Sequence, residues 1–196
     1  MRRILSVAVL CVAAVLAACS SPSSTLYTLS PSAAAVATEA PCNCSVVVGP
    51  VSVPEIDNVP QIVVNTGPNE VKLDEFNRWA SPLQNNMMRV VAENLVTLLG
   101  TSQVTLFQEA LNADSEYHVA IEVQSFESTL GEAATLKAVW LVWRTKDGKT
   151  QTGRTSVREP LSQKGYTALI SAHNRGMLQL SQDIAAGVRS LGHVAP

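Results

Sequence analysis

Residues 117–158 read YHVAIEVQSFESTLGEAATLKAVWLVWRTKDGKTQTGRTSVR, and this stretch decides the fold class. Tyr117, Val119, Ile121 and Val123 alternate with His118, Ala120, Glu122 and Gln124, the period of a strand with one buried face. Residues 135–145 form a second, longer strand that is apolar on both faces near its centre. Asp147-Gly148 supplies a tight turn, and residues 150–158 return as a more polar strand. Trp140 and Trp143 differ in parity, so their side chains leave opposite faces of the sheet. One of those faces packs on helices, and the other tryptophan needs a different cover, such as a neighbouring subunit.

Two helical patterns flank this meander. Upstream, Leu83, Met87, Val91, Leu95 and Leu98 step by four and three, with Ser81-Pro82 as the expected start and Gly100 as the stop. Downstream, Tyr166, Leu169, Ile170, His173, Met177, Leu180, Ile184, Val188 and Leu191 make a continuous apolar stripe. Gly176 and Gly187 interrupt that stripe, each lowering helix propensity by about 1 kcal/mol relative to Ala, and leave room for close packing. Ahead of the first helix, SVVVGPVSV (45–53) is β-rich, and PQIVVN (60–65) and EVKL (70–73) flank Thr66-Gly67-Pro68-Asn69 as a hairpin. Residues 103–107 read as one more strand. The expected class is α+β: an antiparallel or mixed sheet with two main helices on one face.

The N-terminus has a different chemistry. Arg2 and Arg3 precede residues 4–18, ILSVAVLCVAAVLAA, apolar everywhere except Ser6. A run of about 15 residues is shorter than the ~20 that span a bilayer and fits an export signal. It ends in Leu16-Ala17-Ala18-Cys19, which resembles a bacterial lipobox. By that resemblance residues 1–18 are a signal peptide, and the Cys19 thiol takes up a diacylglyceryl group before acylation of the new amine. Three acyl chains exceed the two signals needed for lasting anchorage. Ser20 after the cysteine resembles the outer-membrane sorting pattern of enteric bacteria. Residues 19–44 read as a lipidated tether, Ser-, Pro- and Ala-rich, with a candidate edge strand at 26–29. Residues 45–191 form the body, and 192–196 a tail.

Charge narrows the function. Of 196 residues only 15% are charged, and the net charge is −2. Without Arg2 and Arg3 the body holds 12 basic against 16 acidic side chains, too acidic for a nucleic-acid binder. No phosphate loop, dinucleotide fingerprint, nucleophile elbow or metal-ligand spacing is present, so no catalytic residue, cofactor or metal is expected. His118, His173 and His193 are scattered, and the carboxylates Asp74 with Glu75 and Asp114 with Glu116 read as solvated loop pairs. Cys42 and Cys44 flank Asn43; in an oxidising compartment they are a candidate disulfide, since two further metal ligands are missing nearby. Phe76 and Trp79 form an aromatic pair before the first helix, either a hydrophobic staple or cap on the core, or a partner contact. With Trp143 they are the candidate docking residues.

In order, Tyr27-Thr28-Leu29 after a lipobox, Val48-Gly49-Pro50-Val51-Ser52-Val53-Pro54, Pro60-Gln61-Ile62-Val63, Phe76-Asn77-Arg78-Trp79-Ala80, Pro82-Leu83 and Glu93-Asn94-Leu95 resemble the ABC-type transport auxiliary lipoprotein family, which includes PqiC-like subunits. The resemblance runs from about Tyr27 to Leu191. It implies a non-enzymatic periplasmic accessory subunit of an MCE-type lipid transport system on the periplasmic face of the outer membrane. The implied partners are an MCE-domain protein with its ABC permease and ATPase, and PqiC-like members can form homo-oligomeric rings. Cys19 is the one functional position that carries over. Cys42-Asn43-Cys44 is no recognised feature of that family. The competing readings are a lipid-anchored outer-membrane assembly or structural factor without a transport partner, and a periplasmic hydrolase that a close Ser–His–acid cluster would reveal.

Overall fold

A computed structural model describes residues 23–33, 40–107 and 115–192. The elements run β1 (Thr25–Tyr27), β2 (Val46–Ser52), a 3₁₀ turn (Glu55–Asp57), β3 (Gln61–Gly67), β4 (Glu70–Trp79), α1 (Leu83–Leu99), β5 (Val104–Leu106), β6 (Tyr117–Thr129), β7 (Ala133–Arg144), β8 (Thr150–Pro160) and α2 (Tyr166–Gly192). The class is α+β, as the patterning predicts. The strands divide between two sheets, however: a large one of order β5-β2-β6-β7-β8 and a small one of order β1-β4-β3. Both are mixed, with β2 parallel to β5 and β6, and β1 parallel to β4.

The meander forms the large sheet's backbone. β6 pairs antiparallel with β7, and β7 with β8. On β6 the inward positions are Tyr117, Val119, Ile121 and Val123, then Phe126 and Ser128. The parity changes because the register slips between Val123 and Ser125, a bulge that leaves Gln124 without an opposite partner. Both helices cover one face: α1 lies over β2 and β5, and α2 over β7 and β8. The buried stripe of α1 includes Leu83, Met87, Val91 and Leu95, and that of α2 includes Leu169, Met177, Leu180, Ile184 and Val188. α1 begins one residue later than expected: Pro82 is the N-cap, and no side chain caps the helix. Gly100 closes it in the left-handed region, φ 67°.

Trp140 shows why glycines interrupt α2 and β8. Its indole is buried against both, and an added Cβ at Gly187 would sit 2.8 Å from Cζ3, and one at Gly153 2.0 Å from Cζ2. The indole Nε1–H donates to Thr155 Oγ1 at 3.3 Å, so the ring's polar edge is satisfied as well.

The small sheet is built on the predicted hairpin. Pro68 and Asn69, the latter at φ 62°, form the turn between Gly67 and Glu70, the residue preference of a type II turn. β4 runs well past EVKL, through DEFNRW to Trp79. Asp74 makes this continuation possible: its Oδ1 accepts from the backbone N–H of Phe76 and of Asn77, each at 2.9 Å, across a break in the β3–β4 register.

Candidate functional site

The described part of residues 19–44 is docked on the body. Tyr27 O accepts from Ala80 N at 2.8 Å and Leu29 is fully buried. Three polar side chains on the helices, Arg89, Asn94 and Asn174, then hold the chain by its backbone. Arg89 Nη2 donates to Leu29 O at 3.2 Å and to Asn86 Oδ1 at 2.8 Å. Asn174 Oδ1 accepts from Ser30 N at 3.0 Å, and Asn94 Oδ1 accepts from Ser32 N at 3.0 Å and Ala33 N at 3.1 Å. Asn94 is fully buried, and its amide donates to Ser181 Oγ at 3.1 Å, tying the clip to both helices. Pattern reading missed this clip because backbone-to-amide bonds leave no apolar period. The one available signal was polar Asn94 among the apolar residues of α1.

Cys42 and Cys44 are disulfide-bonded, with Cα atoms 5.2 Å apart. The pair fixes the chain between α1 and β2: Cys42 N donates to Leu99 O at 2.7 Å, and Thr101 Oγ1 donates to Cys44 O at 2.8 Å. Residues 1–18, Cys19, Asp114 and His193 lie outside the described residues. Asp74 and Glu75 are engaged: Tyr166 O–H donates to Asp74 Oδ2 at 2.5 Å, and Gln61 Nε2 to Glu75 Oε2 at 3.1 Å.

The three candidate docking aromatics separate. Trp79 is buried at the end of β4 beside Phe126, centroids 6.1 Å apart, and belongs to the core. Neither Phe76 nor Trp79 is a staple ahead of α1, since both are strand residues of β4. Phe76 remains half exposed. Trp143 lies on the other sheet, on the face away from the helices, stacked on His118 with centroids 4.9 Å apart and planes 10° apart. Val139 and Leu141 continue its row, and with Ala120 they line a shallow depression of about 280 Å³. Burial holds the His118 pKa below its ordinary value, which favours the neutral ring on the indole.

Among the described residues one Ser–His pair lies within hydrogen-bond distance. Ser128 Oγ and His173 Nε2 are 2.8 Å apart, but both residues are sealed in the core at 2% and 1% exposure. His173 is stacked on Phe126, its Nδ1 has no hydrogen-bond partner, and burial pushes its pKa down to about 3. A triad needs an acid on that nitrogen and a path for substrate; this pair has neither and acts as packing. Among the described residues no group of three or more His, Cys, Asp and Glu is placed to hold a metal, and no helix is long and apolar enough to cross a membrane.

The chain is thus a two-sheet α+β domain with a docked N-terminal segment. The family follows: the model of the ABC-type transport auxiliary lipoprotein component matches residues 27–185, and the chain belongs to that family. It is therefore an auxiliary component of ABC-type transport, associated with the cell envelope. No curated protein matches the sequence. Among solved structures, a Xanthomonas campestris protein assigned to the DUF330 family model is similar at 19% identity and TM-score 0.72, covering 86% of this chain and 98% of its own. A second, uncharacterized protein gives 20%, TM-score 0.68, and 85% and 99% coverage. Both share the fold. A PelC dodecamer from Paraburkholderia phytofirmans aligns at 16% identity over 76% of this chain and 92% of its own, with TM-score 0.35, too loose to carry an argument.

Proposed function

We propose that this auxiliary component is a lipid-anchored subunit of an MCE-type lipid transport system, held on the periplasmic face of the outer membrane through acyl chains on Cys19. It docks on an MCE-domain protein that works with an ABC permease and ATPase. The observation that carries this reading is the match to the transport auxiliary family across most of the chain. The docked N-terminal segment supports it by shortening the tether. Five residues, or six chain steps, separate Cys19 from Thr25, a reach of about 20 Å at full stretch at ~3.3–3.6 Å per residue. The body is then held near its own membrane, and the MCE partner spans the remaining distance. We assign the docking contact to the outer face of the large sheet around Trp143, where a stacked aromatic pair and two aliphatic neighbours offer a shallow apolar seat. Exposed Phe76 is a second contact on the small sheet. Copies of the chain arranged as a ring would present several such seats to one partner.

The test is recovery of partners from detergent-solubilised envelopes with the tagged protein, with Cys19→Ala and Trp143→Ser alongside. Recovery of an MCE-domain protein, reduced by Trp143→Ser, is expected; dependence on Cys19 reports whether anchorage is needed for the encounter. Recovery of outer-membrane assembly machinery without transport components would replace this reading with the assembly-factor one.

A further inference from the structure

A cleft of about 480 Å³ opens between the β3–β4 hairpin, the 3₁₀ turn and β6, away from the Trp143 face. Its walls are mixed, with apolar side chains such as Ile56, Val71 and Phe126 beside amides and carboxylates. Three carboxylates line it, those of Asp57, Glu70 and Glu127, and no lysine, arginine or histidine does. Glu127 Oε1 accepts from Ser125 Oγ at 2.8 Å, whereas the Asp57 carboxylate accepts no hydrogen bond among the described residues. Asp57 is 8% exposed, yet neither of its carboxylate oxygens is among the fully buried atoms left without a partner, so the carboxylate opens on the cleft. Burial first, and the charge of Glu127 second, push its carboxyl up to about 6.

We infer that this cleft is a binding site for a cation, an ammonium or guanidinium group carried on a short apolar stem. The apolar side chains of Ile56, Val71 and Phe126 take the stem, and the Asp57 carboxylate takes the charge. The same chemistry is available from a free alkylamine and from a lysine or arginine side chain of a protein. The inference stands on the cleft alone and does not depend on the transport partner.

The experiment is titration of the purified full chain, followed by amide chemical shifts, with n-butylammonium and with N-acetyl-lysine methylamide. Neutral n-butanol and anionic butyrate serve as matched controls. Shifts confined to residues around Asp57, Val71 and 125–127 are expected for the two cations, with n-butanol and butyrate at least tenfold weaker. Asp57→Asn removes a buried charge without changing side-chain volume, so it keeps the fold, and it should weaken cation binding at least tenfold. Tighter binding of the lysine amide assigns the cleft to a protein side chain, and tighter binding of butylammonium to a free amine. Equal binding of butanol and butylammonium, unchanged binding by Asp57→Asn, or no binding of either cation would overturn the site.

Discussion

Gly176 and Gly187 lie on the same face of α2, and substituting each by alanine should move stability in opposite directions. In a helix interior Ala is favoured over Gly by about 1 kcal/mol. At Gly176 nothing opposes that gain: an added Cβ would rest 3.6 Å from Leu136 Cβ and 3.6 Å from Val157 Cγ1, ordinary contact distances. At Gly187 the same methyl would meet Trp140 at 2.8 and 3.0 Å. The ring has no room to retreat, because Gly153 closes its other side. Overpacking of this kind costs about 1–3 kcal/mol, and a rigid ring held between two backbones belongs at the upper end. Gly187→Ala should therefore lose about 1–2 kcal/mol net, while Gly176→Ala gains about 1. At roughly 2–4 °C per kcal/mol for a chain of this size, their melting temperatures should separate by about 4–12 °C. Thermal and urea unfolding followed by circular dichroism measure this directly. Adding Trp140→Phe removes the obstructing ring edge, so the cost of Gly187→Ala should shrink in that background. If Gly187→Ala stabilised as much as Gly176→Ala, or cost the same with phenylalanine at 140, the packing argument would fail.

Asn94→Ala removes the clip's bonds to Ser32 N and Ala33 N and the link to Ser181, so a loss of about 2–4 kcal/mol and faster proteolysis near residues 30–33 are expected. Because burial lowers the His173 pKa to about 3 in the folded state, the unfolded chain binds the extra proton below about 6.5. Stability is then lost as pH falls from about 6.5 towards 3, by up to ~1.4 kcal/mol per unit, and His173→Gln should flatten that slope in pH-dependent urea titrations. The Cys42–Cys44 link closes a very small loop, so converting both to Ser should cost less than about 2 kcal/mol of cross-link stabilisation, a difference that reductant should reproduce in the wild type.

Elements with a strong local period were legible: the helices and the β6–β8 meander follow from apolar spacing that burial then enforces. The elements that local pattern missed are held by particular polar groups. β4 outlasts its apolar run because the Asp74 carboxylate satisfies two backbone N–H groups across the break in register. Residues 30–33 look like linker in composition, yet side-chain amides on both helices take up their backbone donors. The division into two sheets and the acidic cleft between them arise from contacts far apart in sequence. Asp57 was unremarkable as a letter in PEIDN; only the approach of β6 makes it a buried charge.

The direction of β1 adds an orientation to the proposed anchorage. β1 runs parallel to β4, with Thr25 beside Asn77 and Tyr27 beside Trp79. Ser24 Oγ, one residue earlier, bonds Glu75 O. The Thr25 end of β1 therefore lies nearer the β3–β4 turn than its Tyr27 end. Under the proposed anchorage at Cys19, we infer that the tether draws that side of the small sheet towards the bilayer. Half-exposed Phe76 and Val71 lie along the same strand. A mutation that frees the clip would release this constraint without touching Cys19 or Trp143. Asn94→Ala in intact envelopes should thus leave the protein membrane-bound while changing which lysines cross-link to partners. An unchanged cross-link pattern would separate docking from the clip and leave the short tether without a role in orientation.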